Sequence, residues 1–340
     1  MSFKISVRAR LLRRSVVTAV AAAALASCGG GSQLVAFALT RLIAFGDEAS
    51  VIDDAGSVGA SVGATVGNGV KYTVNALKAD LTTLDCSLNP IWIQALSTYY
   101  GLVFSQCNPA AVATPTAFIR AAAQAQVADV VAQIDAQVAA GGFVATDLVT
   151  LLVGSNDILA EYKKYPGVPI NQLQANVEAA GALLATQVNR IAALGGKVII
   201  STSPDLGLTP YALAEKAANT DTDRAVLLTF LTARFNAKLR VGLINDGRTT
   251  GLLFTDELIQ TMVKFPTNYG LSNVIDAVCD AAKAPAVTAC TAQTLVPLVA
   301  PATVTPTAAT HLWASSVQLS PAGHRNLGSL AVTRARGNPF

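Results

Sequence analysis

Charge and histidine are scarce in this sequence. Only 13 % of its 340 residues are Asp, Glu, Lys or Arg, and it holds two histidines, His311 and His324. So few charges in a chain that is 52 % hydrophobic exclude an intrinsically disordered protein and permit a sizeable core. None of the five cysteines has metal-ligand spacing, and both histidines lie away from them, so no metal or cofactor is expected. Past the N-terminal segment no run is long and apolar enough to span a bilayer. There is no internal repeat and no sign of a second folded domain.

The N-terminus reads as an address label. Lys4, Arg8, Arg10, Arg13 and Arg14 form a basic region, and Val16 to Ala26 is an apolar run of small residues too short to span. The following Leu25-Ala26-Ser27-Cys28 resembles the bacterial lipobox, which implies a signal peptide over 1–27, cleavage before Cys28 and lipidation of its thiol. The plainer alternative is a secretory peptide cut nearby. Gly29 in the next position fits export to the outer membrane. Residues 28–39 would be a tether and 40–340 the folded domain. The partner expected through Cys28 is therefore the membrane, held by acyl chains and not by a spanning helix. Removing the leader takes five of 24 basic residues and leaves 19 against 21 acidic ones. The overall excess of positive charge is thus the leader's, and a nucleic-acid partner has no electrostatic support.

An exported chain sits in an oxidising compartment. With Cys28 lipidated, four cysteines remain, in two pairs close in sequence. Disulfides Cys86–Cys107 and Cys279–Cys290 are the simplest of the three connectivities.

The chain is organised around Arg41 to Asp54, RLIAFGDEASVIDD. Its apolar run Leu42 to Phe45 stops at Gly46-Asp47, as a buried strand does when it delivers a polar residue, here Glu48, to the carboxyl edge of a sheet. Residues 55–69 read as a surface excursion and 71–75 as a short extended piece. Asn89 to Gly101 has helical spacing and a glycine stop. Phe118 to Ala140 reads as a long helix ending at Gly141-Gly142. Asp147 to Val153, Lys197 to Ser201 and Gly251 to Phe254 read as strands. Asn171 to Leu194 and Thr220 to Ile244 read as helices, and Asp256 opens another. Residues 277–306 look irregular, and Ser320-Pro321 starts a last helix with proline at its first position. Strands alternating with long helices predict an α/β fold with a mostly parallel sheet covered on both faces.

Three short blocks fall at strand ends: Phe45-Gly46-Asp47-Glu48, then Gly154-Ser155-Asn156-Asp157, then Trp313 to His324, WASSVQLSPAGH. With the Pro204-Asp205-Leu206-Gly207 turn between the last two, the ordered set resembles the GDSL, or SGNH, hydrolase family. Its blocks read F-G-D-S, G-x-N-D, and D-x-x-H followed by P-x-x-x-G-H. The resemblance implies a three-layer α/β/α sandwich of flavodoxin-like type. It also implies an esterase site: a serine nucleophile, a histidine base, an orienting aspartate, and an oxyanion hole shared by the serine N–H, a glycine N–H and the asparagine side chain.

This chain departs from the pattern at all three triad positions. Glu48 stands for the serine, Ser315 for the aspartate and Gln318 for the histidine, while Leu319 replaces the proline. Asn156 survives as an oxyanion-hole residue beside the Glu48 backbone, and Gly69 or Ala76 is the candidate for the remaining donor. A carboxylate has no proton to lose and puts charge where an oxyanion must develop. A glutamine cannot cycle a proton near neutral pH. Ser315 spares Glu48 a like charge, and Gln318 is expected to donate its amide N–H to it. The helix that follows the strand favours the anion. The expectation is a pseudo-hydrolase that binds a lipid or glycan ligand through the old cleft, or serves a structural role in the envelope.

Other readings remain. An active ester hydrolase on lipid or acylated sugar could use rearranged residues, such as Ser50 with His324, or Ser155. Against this, both histidines read more simply as structural. Glu48 with Asp47 could act on glycans, or with Asp53 and Asp54 hold a hard cation. The plainer reading makes Asp47 a structural hydrogen-bonder, and Asp53 and Asp54 a solvated face and a cap. Asp157 and Asp205 read as satisfying turn backbone groups. Trp92 and Trp313 read as core.

Overall fold

The computed structural model describes residues 38–53, 69–244, 247–297 and 306–337. The leader, Cys28, the residues before Ala38, Asp54 and most of the 55–69 excursion lie outside the described residues. The chain divides into residues 1–38, of which only Ala38 is described, and residues 39–340.

Five strands form one parallel sheet: β1 (Arg41–Gly46), β4 (Ala117–Ile119), β5 (Asp147–Leu152), β6 (Lys197–Ser201) and β7 (Thr250–Leu253). Their spatial order is β4-β1-β5-β6-β7. Counted within this sheet that is 2-1-3-4-5, the flavodoxin-like order, whose switch point lies between β1 and β5. Two short pairs flank it: antiparallel β2 (Ile52–Asp53) with β3 (Val70–Lys71), and parallel β8 (Asn273–Ala277) with β9 (His311–Trp313).

The strand side chains alternate between two cores, as a period of two requires. Ile43, Phe45, Val149 and Leu151 face one side, with Val130 and Ile134 of α2 (Val127–Ala139), Leu184 and Val188 of α4 (Ile170–Ala193), and Phe235 and Leu239 of α6 (Arg224–Gly242). Leu42, Ala44, Leu148 and Leu152 face the other. There they meet Trp92 of α1 (Trp92–Tyr99), Met262 of α7 (Thr255–Lys264) and Leu327 of α8 (Pro321–Gly337). Two shorter helices, α3 (Ser155–Tyr162) and α5 (Pro210–Ala218), pack on the first side. These are the three layers the resemblance implies. Both tryptophans are fully buried in the second core. Among the described residues, no helix is long and apolar enough to cross a membrane.

Both expected disulfides are present, Cys86–Cys107 and Cys279–Cys290. The second is the centre of a small separate cluster with Val74, Val278 and Ala314.

One expected element is wrong. Residues 118–140 are not a single helix: Ala117–Ile119 is strand β4 and the helix starts at Val127. Pairing with β1, from Leu42↔Ala117 to Ala44↔Ile119, overrides the local Ala/Val/Gln preference. Gln124 then turns the chain with φ of 61°. The reading of 220–244 as one helix also shortens. Asp223 caps it by accepting from the N–H of Ala225 and Val226, and α5 lies just before. The helix stop at Gly141-Gly142 is as expected, with φ of 116° and 69°.

Candidate active-site cleft

Two glycines place the first two blocks. Gly46 ends β1 at φ 121°, and a Cβ there would lie 1.9 Å from the Leu152 carbonyl oxygen on β5. Gly154 follows β5 at φ 124°, and a Cβ there would lie 2.5 Å from the Phe235 ring. Neither backbone conformation nor spacing admits a side chain. The register pairs Gly46 with Leu152, so β1 and β5 end level and deliver Glu48 and Asn156 side by side at the switch point. Asp47 is buried and caps the 3₁₀ turn Glu48–Ser50, its carboxyl accepting from the Ala49 N–H at 3.0 Å. Burial first, then the neighbouring Glu48 charge, pushes its pKa well above the usual carboxylate range.

Glu48 is half-buried, and one of its oxygens is fully engaged. Glu48 Oε2 accepts from Asn156 Nδ2 at 3.0 Å and from the Gln124 N–H at 2.9 Å. Asn156 Nδ2 also donates to the Ala125 carbonyl at 3.1 Å. The β4–α2 turn and the block after β5 thus close on Glu48 together. Gln124 is a partner that the sequence hid, because its contribution is a backbone N–H inside what reads as a helix.

A cavity of about 40 Å³ opens beside Glu48, and Asn156, Ser155, Gln318, Tyr72 and His324 line it. Ser155 Oγ lies 3.3 Å from Ser203 Oγ. Three expectations change here. Gln318 lines the cavity but no hydrogen bond joins it to Glu48. Instead Ser315 Oγ donates to the Gln318 side-chain oxygen, and the Ala314 N–H donates to the Gln318 carbonyl at 2.8 Å. The two residues close a tight turn on each other because they are three apart on a chain reversing from β9 to α8. Neither Gly69 nor Ala76 is among the described residues of this cavity. Gly69 packs against Ile52 and the Gln106 carbonyl. Ala76 faces a different cleft, of about 610 Å³. From that stretch it is Tyr72 that arrives, since Thr73 Oγ1 donates to the Leu319 carbonyl at 2.8 Å and ties the stretch to the third block. Burial, then the Asp53 and Glu48 charges, pushes the Tyr72 hydroxyl up to about 12.

The third change is His324. Ser320 caps α8, accepting from the N–H of Ala322 and Gly323. That start turns His324 inward, where it is buried and lines the cavity. Its Nδ1 has no hydrogen-bond partner among the described residues. Burial, and next the charge of Lys71, lowers its pKa to about 3, so the imidazole is neutral. Lys71 is itself fully buried, donating Nζ to the carbonyls of Cys86, Leu88 and Asn89 at 3.0, 2.7 and 2.8 Å. Burial lowers it to about 7.

The remaining candidates are structural. Ser50 is buried and accepts from Trp92 Nε1 at 3.2 Å. Trp313 Nε1 donates to the Val274 carbonyl at 3.0 Å. Asp157 accepts from the Val127 N–H at the start of α2, a neighbouring element and not its own turn, and burial raises it to about 6. Asp205 accepts from the Gly207 N–H, Thr229 Oγ1 and Gln260 Nε2. His311 lies on β9, with burial lowering its pKa. Among the described residues no group of three or more His, Cys, Asp or Glu is placed to hold a metal ion.

The family model described as GDSL-like Lipase/Acylhydrolase matches residues 44–282. The chain belongs to this family. The match takes in the Glu48 and Asn156 blocks and ends ahead of the third. Among solved structures, the GDSL-like chain is similar to an acetylxylan esterase from Geobacillus stearothermophilus at 14 % identity, over 89 % of this chain and 97 % of that one, with a TM-score of 0.42. It is likewise similar to a mutant of that protein, described as an acetyl-xylooligosaccharide esterase, at 12 % identity over 87 % and 94 %, with a TM-score of 0.42. No curated protein matches it.

Proposed function

We propose that this protein is an exported, lipid-anchored member of the GDSL-like family. Its cleft binds a ligand, or holds an envelope partner, without the serine-esterase mechanism. One observation carries the reading: Asn156, the amide that would stabilise an oxyanion, donates to the Glu48 carboxylate, and the Gln124 N–H does the same. The position that should gain negative charge in a transition state already holds it, so those donors have nothing further to give. Gln318 and Ser315 bond to each other and supply neither base nor orienting carboxylate. Cys28 as the lipidated residue, and the outer membrane as destination, belong to the same reading and rest on the lipobox alone.

A fluorophosphonate probe tests the loss of mechanism, since it labels an activated serine. The expected result is no labelled peptide and no turnover of short-chain aryl esters. Palmitate labelling of the full chain in a bacterial host, lost in C28A, tests the anchor. A second reading, ester hydrolysis by rearranged residues, has one observation in its favour: Ser155 and His324 line the same cavity. Probe labelling at Ser155 that disappears in H324Q would establish it in place of the first.

A further inference from the structure

The cavity beside Glu48 is built for charge of one sign. Among the described residues Glu48 makes no ion pair, and both of its hydrogen bonds fall on Oε2, leaving Oε1 without a partner there. A carboxylate anchored through one oxygen keeps the other free to accept hydrogen bonds from whatever enters the cavity. The second observation is independent of it. His324 is 1 % exposed and lines the same small cavity, and neither of its ring nitrogens has a hydrogen-bond partner among the described residues; Nδ1 is closed off, so Nε2 is the one that can meet an occupant. An imidazole nitrogen on the cavity wall with no partner can accept a hydrogen bond from whatever enters. The Ser155 hydroxyl adds a further acceptor on the wall.

From this convergence we infer that the cavity takes the ammonium of a primary amine, its N–H groups shared among Glu48 Oε1, the His324 imidazole and Ser155 Oγ. This rests on the reading of the cleft as a binding site and names its ligand class. A neutral imidazole can accept such a hydrogen bond, which a charged one cannot. Lys71, the buried cation whose charge acts on His324, has its ammonium turned to three carbonyls of the Cys86–Asn89 turn and makes no ion pair with Glu48. The cavity, about 40 Å³, has room for a small ammonium head, and a quaternary ammonium would bring no donors. A divalent metal is a poorer fit: such ions require several oxygen ligands, and the other carboxyl on the wall, Asp47, is spent on the Ala49 N–H, with no group of three or more His, Cys, Asp or Glu placed to hold a metal among the described residues.

The chain's two histidines make the test direct, because imidazole signals can be followed by NMR and assigned with H324Q. Methylammonium chloride should move the His324 signals saturably and leave those of His311 in place. The midpoint should be on the order of 10 mM, near the limit for a ligand of one carbon and one nitrogen. Tetramethylammonium and sodium chloride at the same ionic strength should have no such effect. E48Q, checked for folding by unchanged His311 signals, should weaken the response by about tenfold or more. Glucosamine added in a parallel titration separates a free small amine, in which case it is silent, from an amine at the end of a larger ligand, in which case it also binds. No saturable shift with methylammonium, or an equal one with sodium, overturns the inference. Those results with no fluorophosphonate labelling leave the binding reading standing, whereas labelling removes it whatever the amine does.

Discussion

Pairing Glu48 with Asn156 should be measurable as a coupling energy. Glu48→Ala deletes the acceptor of two hydrogen bonds, from Asn156 Nδ2 and the Gln124 N–H. Asn156→Ala deletes one of these together with the bond to the Ala125 carbonyl. A hydrogen bond to a charged group contributes about 1.5–3 kcal/mol when fully buried. Both residues here are half-buried and water can partly replace either partner, so the low end applies. Each single variant should then cost about 2 kcal/mol, and the shared bond should appear once, as a coupling of about 1 kcal/mol. The double variant is expected to lose about 3 kcal/mol, not 4. Urea unfolding at neutral pH reads this well, because both tryptophans are fully buried and report the loss of the whole fold. Glu48→Gln, which keeps an acceptor oxygen but not the charge, should recover part of the loss. Additivity of the two single variants to within about 0.3 kcal/mol would refute the pairing. A stabilising Glu48→Ala would refute it differently, since the carboxylate would then be held at a cost and not anchored.

Reducing the disulfides should destabilise the fold in proportion to the loops they close. For separations of 21 and 11 residues the chain-entropy model gives about 3 kcal/mol each. Thermal melts with and without reductant, and with each pair changed to serine, check it, and an unchanged melting temperature would contradict it. The pH dependence of stability should carry two opposed contributions. Asp157, raised to about 6 by burial, contributes stability that is complete below its ordinary range and lost as pH rises through about 6. Asp157→Asn should therefore gain on the parent protein between about pH 4 and 7, while its amide oxygen can still accept from Val127. His324, lowered from 6.5 to about 3, contributes stability present above 6.5 and lost as the pH falls towards 3. His324→Gln should flatten that acid limb, and urea midpoints across the range would show either sign to be wrong.

Much of the architecture was legible residue by residue. Leu42 to Phe45 and Asp147 to Val153 read as strands because they are short apolar runs closed by glycine, and they form β1 and β5. The two disulfides follow from proximity along the chain. The flavodoxin-like order was available only through the ordered blocks at Gly46, Gly154 and Gly323, since nothing local states which strands are neighbours. Residues 118–126 read as helix because strand β4 exists through its pairing with β1, a contact over more than seventy residues that local composition does not encode.

By itself the amino-acid sequence determined the chemistry at hand: a carboxylate, a glutamine and a serine where an esterase would keep a nucleophile, a base and its partner. Side-chain identity is local, so it needs no fold to be read. Only the tertiary structure decided who stands next to whom. It gave Glu48 the amide of Asn156 and the Gln124 N–H, turned Gln318 towards Ser315, and set an unpaired His324 into the same cavity. Those neighbours come from four separate elements, and their directions are set by how helices pack on a sheet, which no stretch of chain can specify alone.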